Sequence, residues 1–297
     1  MRLIHLTDPH LSSLAGWSFF SVQGKRRSGY LSWTYKRQRI YRREILDLLT
    51  TAIRAEAADQ LILSGDLIQI GLEQEIRAAG NWLAELASPQ RIFFVPGNHD
   101  VYAPDSWAAI RRHWNFVLPD PAGGVADSST AAYPIIRDLG KVRLIGASSA
   151  CVTPPFSSRG ALGQEQIDRL ATLLRETRAV GMLPCLAIHH PPLPDMTRWS
   201  KALKENRVMK ALLSAQQPAL VWCGHQHRNL ERIVGATRVF CTASASSVHQ
   251  ASFRIFDIAP QLRDGRPGWS IHMRLKSIAE DGESFILADE KRWNFAL

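Results

Sequence analysis

Five short polar islands in this chain carry donors suited to metal ions: Asp8-Pro9-His10, Gly65-Asp66, Gly97-Asn98-His99-Asp100, His189-His190 and Gly224-His225-Gln226-His227. Each follows an apolar run with the composition of a buried strand. Carboxylates supply charge, imidazoles suit borderline first-row metals, and an Asn side chain adds a neutral carbonyl oxygen. A carboxylate has two oxygens and can join two ions, a role open to Asp66. Two divalent metals ~3.5–4 Å apart bring the pKa of bound water near ~7 and offset charge on phosphoryl oxygens, which is what phosphoester hydrolysis at neutral pH needs. In extended backbone, residues i and i+2 point to one side, so Asp8 with His10, and His225 with His227, each read as reaching a single ion. A lone Asp after a strand is usually a turn or cap residue, and a lone His usually a surface or core residue. Five islands in order, each at a strand end, make a metal site the stronger reading.

The elements that must position these islands are short. Strands are expected at Arg2–Thr7, Gln60–Ser64, Arg91–Val95, Lys141–Ala147, Pro184–Ile188, Ala219–Cys223, Arg238–Cys241, Ser252–Ile258 and Trp269–Leu275. Several are almost wholly apolar, as in strands covered on both faces. Helices are expected at Lys36–Ala57, Leu72–Ala87, Pro104–Trp114, Gln164–Ala179 and Lys201–Ser214, with apolar residues at helical spacing. The early alternation of strand and helix argues for an α/β layered domain. The last third is mostly strand, with hairpin-like breaks at Gly235 and Asp264-Gly265. Residues 119–130 read as a turn-rich loop, and no boundary divides the chain, so residues 1–297 are expected to form one domain.

The five islands together resemble the motif set of the calcineurin-like metallophosphoesterases: D-x-H, G-D, G-N-H-[DE], a His after a strand, and G-H-x-H. The likeness spans roughly residues 1–245. It implies a four-layer α-β-β-α sandwich of two mostly mixed sheets, with the site at the carboxyl ends of the strands. It also implies roles. Asp8, His10 and His227 would hold one divalent metal, Asn98, His189 and His225 a second, and Asp66 would bridge, with a hydroxide between the ions attacking phosphorus. His99 would contact the phosphate and protonate the leaving oxygen, while Asp100 would accept a hydrogen bond from His99 and raise its basicity. His190 is expected to line the pocket or pack on Pro191-Pro192. His5, His113 and His272 read as ordinary residues, and so does His249, although it follows the small-residue loop 242–247. The wording around Asp8, Asn98 and His189 is most similar to the branch containing class III cyclic nucleotide phosphodiesterases. The mixed N/O donors suit Mn, Fe, Zn or Co alike.

Substrate choice is expected to lie in an insertion at about residues 14–43. Between Pro9 and Arg43 there is no acidic residue, while Lys25, Arg26, Arg27, Lys36, Arg37, Arg39, Arg42 and Arg43 supply eight of the net +9 charges of the chain. Trp17, Phe19, Phe20, Tyr30, Trp33, Tyr35 and Tyr41 are interleaved with them. Such a mixture suits a lid over a phosphate-ester substrate or an anionic membrane surface. It would also suit nucleic acid, which ranks lower because no further nucleic-acid module is evident. From Lys36 onward, a basic helix packed on its own domain is an equally good reading. A lipid-linked phosphate is therefore a candidate substrate, as for the superfamily's lipid A pyrophosphohydrolase. A nuclease and a non-catalytic scaffold on the same fold are the alternatives. Cys151, Cys185, Cys223 and Cys241 show no C-x-x-C spacing and read as small buried hydrophobes in a reducing compartment. With no spanning apolar run and no signal-like N-terminus, the expected location is cytoplasmic, peripheral at the inner membrane if the insertion meets lipid.

Overall fold

The computed structural model describes residues 1–11, 14–118, 132–263 and 266–296. Along the chain come β1 (Arg2–Leu6), α1 (Lys25–Ser32), a π-helical stretch Trp33–Arg37, α2 (Gln38–Ile40), α3 (Arg43–Ala55), β2 (Gln60–Leu63), α4 (Glu73–Leu86), β3 (Ile92–Phe94) and α5 (Ser106–His113). These are followed by β4 (Ile135–Leu139), β5 (Val142–Ala147), α6 (Gln164–Ala179), β6 (Leu183–Ile188), α7 (Asn206–Gln216), β7 (Leu220–Cys223), β8 (Leu230–Val234), β9 (Thr237–Cys241), β10 (Ser252–Arg263), β11 (Arg266–Ile278) and β12 (Phe285–Ala296).

The strands form two six-stranded sheets, ordered β12-β11-β10-β1-β2-β3 and β4-β5-β6-β7-β9-β8. In the first, β1, β2 and β3 are parallel and β10 to β12 antiparallel. In the second, β5, β6, β7 and β9 are parallel, with β4 and β8 antiparallel at the edges. Leu3, Ile62, Phe93 and Phe256 of one sheet meet Leu144, Cys185, Trp222 and Phe240 of the other in a shared core. Helices α3, α4 and α5 cover the outer face of the first sheet through Leu49, Ile53, Ile76, Leu83 and Ile110. Helices α6 and α7 cover the second through Leu170, Leu174, Met209 and Leu213. The result is the four-layer α-β-β-α sandwich.

Register explains why the islands converge. Leu6 pairs with Leu63 and Leu63 with Phe94, so the chain leaves β1, β2 and β3 at one level. On the second sheet, Ala147 pairs with Ile188 and Ala187 with Trp222, so the loops after β6 and β7 emerge together. Ligands in α/β sheets gather at such carboxyl ends of parallel strands.

Several expectations are corrected. The helix expected over Lys36–Ala57 breaks at Tyr41 and Arg42, both extended. Tyr41 forms a β-bridge with Ser247, and the Arg42 N–H donates to the Ser246 carbonyl at 3.0 Å. Tertiary pairing has overridden an apolar period that runs through both halves. α1, β4, β8 and β12 were not anticipated: α1 carries three cations and a glycine, and β12 is exposed along most of its length. The break at Asp264-Gly265 and the loop at 119–130 lie outside the described residues. The cysteines are free, three of them buried.

Candidate metal centre

Five of the expected ligands adopt left-handed backbone: Asp8 at φ 52°, His10 at 43°, Asp66 at 56°, His225 at 69° and His227 at 53°. Eight non-glycine residues among those described do so in all, so the strain is concentrated here. This corrects the extended-chain argument for the two i, i+2 pairs. The residues do reach common points, but through tight left-handed turns beyond the strand ends. Backbone hydrogen bonds hold the turns: Asp8 N–H to the Gly65 carbonyl at 2.9 Å, His10 N–H to Asp66 at 3.1 Å, and Leu11 N–H to Leu67 at 2.7 Å. Glycines let the loops touch. A Cβ on Gly97 would collide with the Asp66 carboxylate, and one on Gly224 with Thr7 and Asp8.

The donors fall into two sets. In the first, ligand atoms of Asp8, His10, Asp66 and His227 all lie within 4.8 Å of one another. His10 Nδ1 faces the Ile68 carbonyl at 3.1 Å, so it carries the proton and leaves the Nε2 lone pair free. His227 Nδ1 meets the Tyr41 hydroxyl at 2.6 Å. The two Nε2 atoms are 3.3 Å apart. Asp8 Oδ2 accepts from the Thr7 hydroxyl at 2.7 Å and the His225 N–H at 2.9 Å. Its Oδ1 is left over, 2.9 Å from His227 Nε2 and 3.9 Å from His10 Nε2.

In the second set, His189 Nδ1 donates to the Ser64 carbonyl at 2.6 Å. That leaves its Nε2 3.3 Å from Asp66 Oδ2 and 3.3 Å from Asn98 Oδ1. A lone pair, a carboxylate oxygen and an amide oxygen thus face one another. His225 Nε2 is buried beside them with no hydrogen-bond partner among the described residues, its ring 5.2 Å from that of His189. Orphaned acceptors of this kind are costly in a dry site, and a cation relieves them. The residues fit divalent ions in both places. Without an ion a proton substitutes: burial disfavours charge on His189, but Asp66 beside it prevails and holds the imidazole at about 10. His190 joins a His189–His190–His225 group. Its nitrogens are already engaged, Nδ1 with Ser149 Oγ at 2.8 Å and Nε2 with the Ser158 carbonyl at 3.1 Å.

His99 lines the same cavity. Its Nδ1 meets the Gln69 carbonyl and lies 3.2 Å from Arg37 Nη1, and its ring stacks on Tyr102 at 5.4 Å. Burial, then the Arg37 charge, holds its pKa well below the usual range. The expected Asp100–His99 hydrogen bond is not formed. The Asp100 carboxylate accepts instead from the backbone N–H groups of Asp66, Leu67 and Gly97, each at 2.8 Å. Three buried donors that no strand satisfies outcompete one imidazole, and Asp100 becomes a clamp tying the second island to the third. His5 lies beneath the site, bonded to Thr242 and Ser64. His113 and His272 contact surface glutamates, and His249 lines the cavity.

Sequence reasoning missed Tyr41, Arg37 and Lys25 as individual site residues. All three come from the insertion, whose composition was the available signal. The insertion packs on the domain through Leu14, Val22 and Trp33, against Ile70, Leu72 and Tyr102. It roofs a cavity of about 600 Å³ whose walls include Asp66, Asn98, His99, His225 and His227. Lys201, from the facing loop, is also in the wall.

The chain is 26% identical over 294 residues to a protein of Synechococcus sp. (strain WH7803) named a probable cyclic nucleotide phosphodiesterase, covering 95% of this chain and 93% of that protein. It is 25% identical over 224 residues to a glycerophosphodiester phosphodiesterase of Enterobacter lignolyticus (strain SCF1), covering 74% and 73%. The fold is similar to that of a dimetal phosphatase from Danio rerio, with a TM-score of 0.63, 12% identity and 99% of both chains covered. It is also similar to that of a purple acid phosphatase from yellow lupin, with a TM-score of 0.57 and 11% identity, covering 98% of this chain and 53% of that one. The family model for calcineurin-like phosphoesterases matches residues 1–229, and the chain belongs to that family.

Proposed function

We propose that this chain is a binuclear metal-dependent hydrolase of phosphodiester or pyrophosphate bonds, acting on a nucleotide or lipid-linked substrate at a membrane surface. The carrying observation is Asp66, whose carboxylate belongs to the first donor set and lies 3.3 Å from His189 in the second. Asp8, His10 and His227 would hold one ion, Asn98, His189 and His225 the other, and Asp66 would serve both. Two divalent ions, Mn, Fe, Zn or Co, would supply activated water and charge compensation for the phosphoryl oxygens. The protein's own groups do the positioning. The Ile68 and Ser64 carbonyls fix the tautomers of His10 and His189. His99, beside Asn98 in the cavity wall, would contact the bound phosphoryl group, and an anionic substrate would raise its basicity and make it a proton donor to the leaving oxygen. All seven donors and His99 are retained, which favours catalysis over a scaffold role. The roofed cavity favours a small ester or a headgroup over duplex nucleic acid, so the nuclease reading ranks second.

The phosphodiester assignment draws on the two relatives named as phosphodiesterases. A substrate panel with Mn²⁺ tests it: bis-p-nitrophenyl phosphate, cyclic nucleotides, a nucleotide-linked lipid and DNA. Cleavage of diesters or of the pyrophosphate link is expected. Cleavage of DNA alone would favour the nuclease, and no cleavage of any would end the hydrolase reading.

The membrane component draws on the rim. Among the described residues, every exposed large aromatic side chain lies in the insertion or the loops facing it: Phe20 at 85% exposure, Tyr35 at 77%, Phe156 at 95% and Trp199 at 76%. Arg27 sits over Phe19 and Arg159 over Trp199, at 5.3 and 4.7 Å. Rings at headgroup depth with cations beside them suit an anionic interface. No helix among the described residues is long and apolar enough to cross a membrane. The protein is expected to sediment with phosphatidylglycerol vesicles at ~0.15 M salt and to release as salt rises. If it stays in the supernatant at that salt, the membrane component is wrong.

A further inference from the structure

The roof carries more positive charge than the fold uses. Lys25, Lys36 and Arg37 of the insertion and Lys201 of the opposite loop all line the cavity over the two donor sets. Lys25 Nζ donates to the Thr153 hydroxyl at 2.6 Å, and Arg37 contacts Gln69 and His99. Among the described residues none of the four is in an ion pair, whereas Arg26 next in sequence is matched by Asp105 at 2.7 Å. Among the described residues Asp66 is the one carboxylate that lines the cavity, and it is assigned to the metals, so it cannot also neutralise the roof. The cations also feel one another. Partial desolvation, followed by the like charges of Arg37, Lys36 and Arg198, holds the Lys201 ammonium below its usual range. Like charges held together across a half-enclosed space repel, and the arrangement is relieved when an anion sits among them.

The cavity has a buried part and an exposed part. Asp66, Asn98, His99 and His225 are buried, with Arg37 3.2 Å from His99; Lys36, late in the π-helical stretch, and Lys201 line the same cavity but are exposed, so an anion among them would sit nearer solvent than the reacting phosphoryl group. An ester with a single phosphate would occupy the first region and leave the second empty. We propose that Lys25, Lys36, Arg37 and Lys201 form a second anion subsite, which binds a further phosphate of the substrate and selects diphosphate-bearing ligands over monophosphates. This rests on the hydrolase reading for its biological meaning, but the binding step can be measured without turnover. Lysine serves here as a point charge that tolerates varied approach, and Arg37 offers a fork to phosphate oxygens.

Calorimetric titration of α,β-methylene-ADP (ADP below), whose bridging carbon resists hydrolysis, and of AMP into the purified full-length protein, at one fixed free Mn²⁺ concentration, tests the subsite. ADP is expected to bind about tenfold or more tighter than AMP. The advantage should collapse in the Lys36→Ala/Lys201→Ala double variant and return in Lys36→Arg/Lys201→Arg, which keeps both charges. Equal affinity for the two nucleotides, no ADP binding, or an ADP advantage that survives the alanine variant would each overturn the proposal. Hydrolysis of bis-p-nitrophenyl phosphate by the wild-type protein is measured alongside. Its absence would count against the hydrolase reading alone, while the ADP/AMP ratio would still decide the subsite.

Discussion

Asp66→Asn is expected to abolish turnover while leaving the fold intact. Asparagine is among the few residues that tolerate the φ of 56° found there, and its side chain keeps the size of aspartate. What is lost is the negative charge on the oxygen 3.3 Å from His189 and the shared donor between the two sets. A fall in kcat/KM on the order of 10³-fold or more corresponds to at least ~4 kcal/mol of transition-state stabilisation. Metal content should drop from about two ions per chain to one or fewer, since a neutral amide oxygen is a poor bridge. The Tm gain produced by Mn²⁺ in the wild type should shrink accordingly, because only ions bound to the native state stabilise it. Wild-type rates and two tightly held ions in the variant would remove the basis of the proposed function.

The second large effect concerns Asp100, and it lies in stability. Its carboxylate is fully buried and accepts three backbone N–H bonds, from Asp66, Leu67 and Gly97. Asp100→Ala leaves all three donors unsatisfied in a dry interior, at about 1–3 kcal/mol each. A total loss of ~3–9 kcal/mol is a large share of the stability of an ordinary domain. The urea midpoint should fall steeply, and metal affinity should fall with it because the Asp66 loop loses its tie to the Asn98 loop. Asp100→Asn can still accept on one oxygen, but its amide N–H₂ opposes the donors, so it should be intermediate. If Asp100→Ala instead matched the wild type in stability and changed only the pH profile of turnover, the role first read from the motif, support of His99, would be restored and the clamp rejected.

The difference between these two aspartates shows what the sequence could and could not convey. All the expected ligands lie where apolar runs end, and such runs are readable because strands covered on both faces are almost wholly apolar. An α/β layered domain followed from those runs and their alternation with helices, and the four-layer sandwich from the resemblance that the islands carry. The backbone that brings Asp8, His10, His225 and His227 inward was not readable, because left-handed turns here are imposed by hydrogen bonds between distant loops. Asp100 was misassigned for a related reason: a motif records which residue is present, whereas its partner depends on which buried N–H groups the fold leaves unsatisfied. Tyr41 was hidden inside a continuous helical period, and its bridge to Ser247 breaks that period and brings its hydroxyl to His227. β12 gave little signal because most of its residues face solvent, so a two-residue alternation has little apolar content to display.

The five left-handed donors have a consequence for lineages that drift away from chemistry. Each such residue carries on the order of 1 kcal/mol or more of conformational cost, which is tolerable while ions reward the geometry. A descendant that no longer captured metal would keep the penalty without the compensation. Selection for folding alone would then favour glycine or asparagine at positions 8, 10, 66, 225 and 227, where the turns are easiest to make. Decayed copies of this protein should therefore be recognisable by small, turn-loving residues in the old cage, and should outlast their working ancestor when both are stripped with a chelator and heated.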